Sequence, residues 1–128
     1  MKTVASAIVV REKKLLVVRD KERKFWTLPG GKVEENESFL EALKREIREE
    51  LPDLILTDIK TYREVLGITP HSKKKVRVIT FLAEGSGSIC LGAEVTASRW
   101  ASAKELKKLK LSEASYVIVE SLLFEGRL

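Results

Sequence analysis

The segment 36–51 constrains the fold more than any other part of the chain, because its apolar residues recur at the spacing of a helix. Asn36 is expected to cap the start of this helix. Pro52 is expected to end it, since proline lacks the amide hydrogen that would continue the hydrogen-bond ladder. The predicted apolar stripe consists of Leu40, Leu43, Ile47 and Leu51. One face of the helix must therefore pack against a core.

Short runs of β-branched residues indicate strands on both sides of this helix. Two of them are separated only by Arg11-Glu12, which predicts a hairpin, and Leu15 to Val18 are apolar enough to be buried on both faces. The predicted strands cover residues 3–10, 13–19, 55–66 and 76–82, with a short one near Arg99-Trp100. A sheet is therefore expected.

The segments between the strands indicate loops and two further helices. Pro29, Gly30 and Gly31 predict a shaped loop before the first helix, and residues 85–88 predict a flexible loop. Helical turns are expected over 103–110, and Ser112 is expected to open a last helix that ends near Phe124. Strands and helices mix without an internal repeat, which favours one α+β domain over residues 1–128.

Length and cysteine usage exclude several classes of protein. The chain has 128 residues, enough to bury a core without disulfides or structural zinc. Cys90 is the single cysteine, so no internal bridge can form, and no Cys/His spacing fits zinc. The apolar stretch 3–10 is too short to span a membrane. We therefore expect a cytoplasmic protein without a membrane partner.

The number and placement of charged residues indicate which partners the protein binds and what kind of organism it comes from. The net charge is +5, and two lysine groups, residues 73–75 and 104–110, supply much of it. These groups are interpreted as solvated faces, because no aromatic residues alternate with them, and nucleic acid is not expected as a partner. Glutamine is absent, and 34% of the residues are charged. That bias is typical of hyperthermophile proteins and predicts a thermophilic source.

Three glutamates in the predicted helix form the first candidate site. Glu46, Glu49 and Glu50 have the spacing i, i+3, i+4, so they share one helix face. Their mutual repulsion is only partly offset by Arg45 and Arg48, and magnesium or manganese would relieve the rest, because these ions prefer oxygen ligands. Taken alone, the three glutamates fit a solvated helix face better than a metal site.

The residues before the glutamates reverse that interpretation. From Gly31 the chain reads G-x5-E-x7-R-E-I-x-E-E without a gap. The six identities of glycine, arginine and glutamate in this pattern coincide by chance about once in a million windows. The stretch resembles the signature of the Nudix hydrolases, and Leu15–Arg19, the segment 26–34 and Arg99-Trp100 extend the resemblance. It implies a Nudix-type α/β/α sandwich with a mixed β-sheet between helices.

The resemblance also implies a metal site and a reaction. Glu46, Glu49 and Glu50 would bind Mg²⁺, or Mn²⁺, with the backbone carbonyl of Gly31 as a further ligand, and Arg45 would orient them. The reaction implied is hydrolysis of a phosphoanhydride in a nucleoside diphosphate derivative by an activated water. The catalytic candidates are therefore Glu49, Glu50 and Arg45.

Residues outside the signature could complete the site. The general base is either a helix carboxylate or Glu94, which lies in the loop before Arg99-Trp100. Lys32 and Arg19 could bind phosphate oxygens, or either could be a surface charge. His71 is expected at the surface, and Trp26 and Trp100 are expected in the core or a pocket wall.

One part of the chain departs from the family pattern. The signature usually ends with glycine and an aliphatic residue, but here Leu51 is followed by Pro52 and Asp53. Proline cannot adopt the left-handed conformation that glycine takes at a helix end. We therefore expect an altered exit loop with the chemistry retained.

The substrate is a small-molecule nucleotide whose identity the signature leaves open. The short chain resembles enzymes that split a nucleoside triphosphate into a monophosphate and pyrophosphate. A nucleoside triphosphate is therefore the substrate that we expect first. Pro70 keeps an ADP-ribose pyrophosphatase as an alternative. Tyr62 comes too early for a dinucleoside polyphosphate hydrolase. No asparagine occurs in 111–115, the segment with which some relatives bind oxidised guanine.

A hypothesis from another class is an inactive RNA-end or nucleotide-binding module. The altered exit turn and the basic surface favour it, whereas the three intact glutamates argue against it. The expected oligomeric state is a monomer or a homodimer.

Overall fold

The computed structural model describes residues 1–20, 24–69, 72–92 and 94–128. The strands are β1 (Lys2–Arg11), β2 (Lys14–Asp20), β3 (Gly30–Lys32), β4 (Ile55–Ile68), β5 (Lys75–Ser86) and β6 (Val95–Ala101). The helices are α1 (Phe39–Glu50), α2 (Ala103–Leu106) and α3 (Glu113–Phe124). Within these ranges no helix is both long and apolar enough to cross a membrane. The predicted combination of a sheet with helices is confirmed.

The six strands form one mixed sheet with β1 at its centre. The strand order is β4-β5-β1-β2-β6, and β3 pairs with β1 outside this path. β1 and β5 run parallel, from the pair Lys2↔Val76 to the pair Val9↔Ala83, whereas the other neighbours are antiparallel. Glu12 and Lys13 join β1 to β2 with positive φ at both residues, as a two-residue hairpin requires. The predicted hairpin and mixed sheet are confirmed.

The strands β1 and β2 pair only near their hairpin turn. Their register comprises Val10↔Leu15 and Arg11↔Lys14. Further from the turn, the same edge of β1 pairs with β3 instead, from Val4↔Lys32 to Ser6↔Gly30. The sheet therefore opens between β1 and β2, and β3 enters the opening.

Hydrophobic cores lie on both faces of the sheet. On β1, Ala5, Ala7 and Val9 belong to the core under α1, while Ile8 belongs to the core under α2 and α3. This alternation follows from the period of two along a strand. The four predicted residues of β2, Leu15 to Val18, are likewise divided between the two cores, as expected for a strand covered on both sides.

The start of α1 differs from the prediction. Ser38 is the N-cap instead of Asn36, because its hydroxyl accepts a bond from the Glu41 amide and the Glu41 carboxylate accepts one from the Ser38 amide. Asn36 lies in the preceding turn with a φ of 65°. Leu40 is 37% exposed, so the buried stripe begins only at Ala42 and Leu43.

Two predicted loops are shorter than expected. Gly85 and Ser86 belong to β5, because they pair with the start of β4, so the prediction of a loop over 85–88 is wrong for its first half. Gly30 and Gly31 pair with β1 rather than remaining in a loop. α2 also ends earlier than predicted, at Leu106.

The capping box of α2 predicts a pH dependence of stability. Hydrogen bonds from the Ser102 backbone and side chain, and then from Arg99, lower the pKa of Glu105 to about 2, against an ordinary value of 4.5. A lowered pKa stabilises the folded state above pH 4.5, and this stabilisation is lost as the pH falls toward 2. We expect Glu105→Gln to lower the melting temperature at pH 7, with the difference from wild type disappearing near pH 2. Equal differences at both pH values would contradict this assignment.

Candidate active site

The carboxylate face of α1 packs against β3, and its three glutamates differ in how far they are exposed to solvent. The Glu46 side chain is 16% exposed and the Glu49 side chain 56% exposed. Glu46 and Glu50, four residues apart on the helix, both line one polar cleft, and Glu49 is not among its lining residues. The pair of Glu46 and Glu50 therefore forms the acidic centre of the site.

The cleft has a volume of about 210 Å³ and lies where the sheet opens between β1 and β2. Three carboxylate residues line it, because the loop before β6 adds Glu94 to Glu46 and Glu50. Gly30, Gly31 and Lys32 of β3 lie at the same cleft. Residues of β3, of α1 and of the loop before β6 thus meet around one small polar space.

Arg45 connects the elements that build the site. Its Nε and Nη2 donate to the two carboxylate oxygens of Glu37 at 2.7 and 3.0 Å, and its Nη1 donates to Glu46 Oε1 at 2.9 Å. Nη2 also donates to the Lys32 carbonyl at 2.9 Å, while Glu49 Oε1 lies further from Nη1, at 3.5 Å. Arg45 therefore fixes the position of Glu46 relative to β3 and to the loop before α1.

These contacts keep both partners of the central ion pair charged. The side-chain bond to Arg45, followed by a backbone bond at Glu34, lowers the pKa of Glu37 from 4.5. The bonds to Glu37 and Glu46 raise the pKa of Arg45. Because the Glu37 pKa is lowered, the pair persists above pH 4.5 and is lost only as the pH falls below that value.

The cleft has the donor chemistry that a divalent cation requires. Carboxylate and carbonyl oxygens are the ligands that Mg²⁺ and Mn²⁺ prefer. A methyl group on Gly31 would overlap the Glu46 carboxyl group, so the backbone and the carboxylate lie side by side only because residue 31 is glycine. Glu50 Oε1 accepts the Gly30 amide at 3.0 Å. In the described ranges, no three acidic, histidine or cysteine residues are close enough to share an ion.

A larger pocket of about 1000 Å³ adjoins the cleft and shares six lining residues with it, Lys2, Val4, Ser6, Thr27, Leu28 and Lys32. Apolar side chains of the sheet line one part of this pocket. Its other lining residues are hydroxyl and lysine side chains, with no acidic residue among those described, namely Lys2, Ser6, Thr27, Lys32, Thr69, Ser72, Lys74, Lys75, Ser112 and Ser115. The pocket can therefore accept an uncharged group that carries hydrogen-bonding atoms, and its lysines can contact anionic groups attached to that group.

Three hydroxyl groups form a hydrogen-bonded cluster in this pocket. Ser112 Oγ lies 2.8 Å from Ser115 Oγ and 3.3 Å from Thr27 Oγ1. The Leu28 amide donates to Ser115 Oγ at 3.2 Å, and Ser115 is buried. Sequence reasoning missed this cluster, since Thr27 lies 85 residues from Ser112 along the chain. The prediction that Ser112 opens the last helix is confirmed.

Other candidates lie away from the cleft. Arg19 is placed over the Trp26 ring at 5.1 Å and does not line either space. Trp26 and Trp100 pack against the cores, as predicted. Lys74 and Lys75, interpreted as part of a solvated face, are exposed and also line the larger pocket. Pro70 and His71 lie outside the described residues.

One family model and several known proteins match this chain. The NUDIX domain model matches residues 1–122. The chain is similar to the 8-oxo-dGTP diphosphatase of Buchnera aphidicola subsp. Acyrthosiphon pisum, with 29% identity over 115 residues, 89% of this chain and 90% of the relative. It is 34% identical over 99 residues to the nucleoside triphosphatase NudI of Salmonella typhimurium, which is 70% of each chain. The MutT NUDIX hydrolase from Burkholderia pseudomallei has a TM-score of 0.82 and 27% identity, with 93% of this chain and 95% of that one covered.

Proposed function

This chain belongs to the NUDIX domain family and is a Nudix hydrolase, and on that premise we propose that it hydrolyses a nucleoside triphosphate, with magnesium, to the monophosphate and pyrophosphate. The observation that carries the proposal is that the acidic cleft and the larger pocket adjoin each other. Glu46, Glu50 and Glu94 line a small cleft that opens beside a pocket large enough for a nucleoside. Two relatives named for nucleoside triphosphate substrates support the same substrate class.

Glu46 and Glu50 are the residues proposed to hold the divalent ion, together with the Gly31 carbonyl and, from the sequence signature, Glu49. Bound there, the ion would neutralise phosphate charge and lower the pKa of a nearby water. Arg45 holds Glu46 in place through the bond at 2.9 Å. Metal affinity is therefore expected to depend on Arg45 as well as on the glutamates.

The remaining residues would bind the substrate and accept a proton. Lys32 lines both spaces and can bind a phosphate oxygen as a cation. The attacking water forms a new phosphorus–oxygen bond while the bridging bond between the α and β phosphates breaks, and pyrophosphate leaves. The proton of the water passes to a carboxylate, either a helix glutamate or Glu94, within hydrogen-bond reach.

A nucleotide panel with product analysis tests the proposed function. We expect magnesium-dependent release of pyrophosphate and a monophosphate from nucleoside triphosphates, and loss of turnover when a chelator removes the metal. ADP-ribose yielding two monophosphates as the best substrate would favour the pyrophosphatase alternative. Binding of nucleotides without turnover of any diphosphate would favour the inactive binding module.

Location and source belong to the same proposal. Cys90 is exposed and has no second cysteine to pair with, which fits the reducing cytoplasm. The charged composition fits a thermophilic source.

A further inference from the structure

The end of α1 is built differently from the glycine turn that the family signature usually carries. α1 ends at Glu50, and the Leu51 amide still bonds to the Ile47 carbonyl. The Leu54 amide then bonds to the Leu51 carbonyl, so the chain turns through Pro52 and Asp53. The carbonyl oxygens of the last helical turn have no amide partners within the helix and need them from elsewhere.

Gly92 supplies one of these partners from the loop between β5 and β6. Its amide donates to the Glu50 carbonyl at 2.7 Å. A methyl group at residue 92 would overlap the Glu49 carbonyl oxygen and lie 3.0 Å from that of Glu50. The loop thus lies directly against the last turn of the carboxylate helix, and the contact requires glycine.

Glu94 follows two residues later and lines the cleft with Glu46 and Glu50. Two residues span at most about 7 Å, so the position of Glu94 depends closely on where residue 92 is held. Glu94 has a φ of 68°, a left-handed conformation that is uncommon for residues other than glycine. The Gly92 contact and the placement of Glu94 are therefore parts of one local arrangement.

We propose that Gly92 is a positioning residue for the hydrolytic reaction, because its contact with the last turn of α1 fixes Glu94 at the cleft beside Glu46 and Glu50. The proposal rests on the proposed function and deepens it. It assigns to the β5–β6 loop the task of setting the distance between a carboxylate outside the signature and those within it. A displacement on the order of 1 Å in such a group lowers a rate by up to about 100-fold.

The test is a double-mutant cycle of Gly92→Ala and Glu94→Gln, measured with a nucleoside triphosphate and magnesium. We expect Gly92→Ala to lower kcat about 10- to 100-fold with little change in KM. In the Glu94→Gln background the same change should have almost no further effect, since Gly92 acts through Glu94. Gly67→Ala is the matched control, because a methyl group there meets only ordinary contacts at 3.5 Å or more.

A second variant tests the proposal if Gly92→Ala does not fold. Insertion of one glycine directly after Gly92 retains the contact with α1 and lengthens the connection to Glu94, so it should lower kcat to a similar extent. Wild-type kcat in Gly92→Ala or in Glu94→Gln, or equal losses with and without Glu94, would overturn the proposal. A wild-type protein without turnover would overturn the proposed function and this inference together, whereas the preceding outcomes overturn the inference alone.

Amide hydrogen exchange gives a readout that does not depend on turnover. The Gly92 amide should exchange slowly in the wild type, because it donates to the Glu50 carbonyl. Exchange at the rate of an exposed loop amide would show that the contact does not hold the loop, and would overturn the proposal.

Discussion

Replacing Glu50 with glutamine is expected to lower kcat/KM about 100- to 1,000-fold while leaving the protein folded. Loss of one carboxylate removes a charged ligand that would bind the metal, and electrostatic contributions of this kind amount to about 2.7–4 kcal/mol. Glutamine retains an oxygen that can accept the Gly30 amide, so the contact between α1 and β3 is preserved. The activity loss should therefore occur without a large change in melting temperature.

The measurement compares magnesium titrations of wild type and Glu50→Gln. Glu120→Gln is the matched control, because Glu120 is exposed on α3 and does not line the cleft, so the substitution removes the same charge outside it. Wild-type activity in Glu50→Gln, with both variants folded, would remove Glu50 from the catalytic site.

Arg45→Lys is expected to weaken magnesium binding about 10- to 100-fold. Lysine keeps the charge but lacks the planar group that contacts both oxygens of Glu37 and one oxygen of Glu46. Glu46 would then lose the contact that orients it. Turnover at saturating magnesium should recover partly, because the carboxylates themselves remain.

Calorimetric titration of Mn²⁺ and Mg²⁺ checks this second expectation. Arg48→Lys is the control, since Arg48 is an exposed arginine on the same helix and has no place in the cleft. If Arg45→Lys bound both ions as tightly as Arg48→Lys, the orienting role of Arg45 would be wrong.

Local patterns predicted most of the secondary structure. The helix α1 and the strands β1, β2, β4, β5 and β6 could be expected because hydrophobic periodicity reports directly which face of an element is buried, whereas β3, at Gly30 to Lys32, has no such pattern. The choice of cap could not be settled this way, since both Asn36 and Ser38 can cap a helix. Glu41 decides the choice, because only Ser38 stands three residues before it.

Part of the candidate site could likewise be predicted from the sequence, and part could not. The sequence spacing from Gly31 to Glu50 identified residues that the fold places together, because all of them belong to one strand, loop and helix. The placement of Arg19 on Trp26, and the cluster of Thr27, Ser112 and Ser115, depend on contacts between segments far apart in sequence. Such contacts follow from the tertiary packing, which has no short-range signature.

The central position of β1 has a consequence for how the chain folds. β1 is made first during synthesis, yet its parallel partner β5 starts only at Lys75. The chain between β1 and β5 must be closed into a long loop before parallel pairing stabilises the fold. The entropy cost of this closure slows folding relative to helical proteins of the same size. Until β5 emerges, one edge of the most apolar strand is exposed, and the nascent chain is most prone to aggregation during that interval.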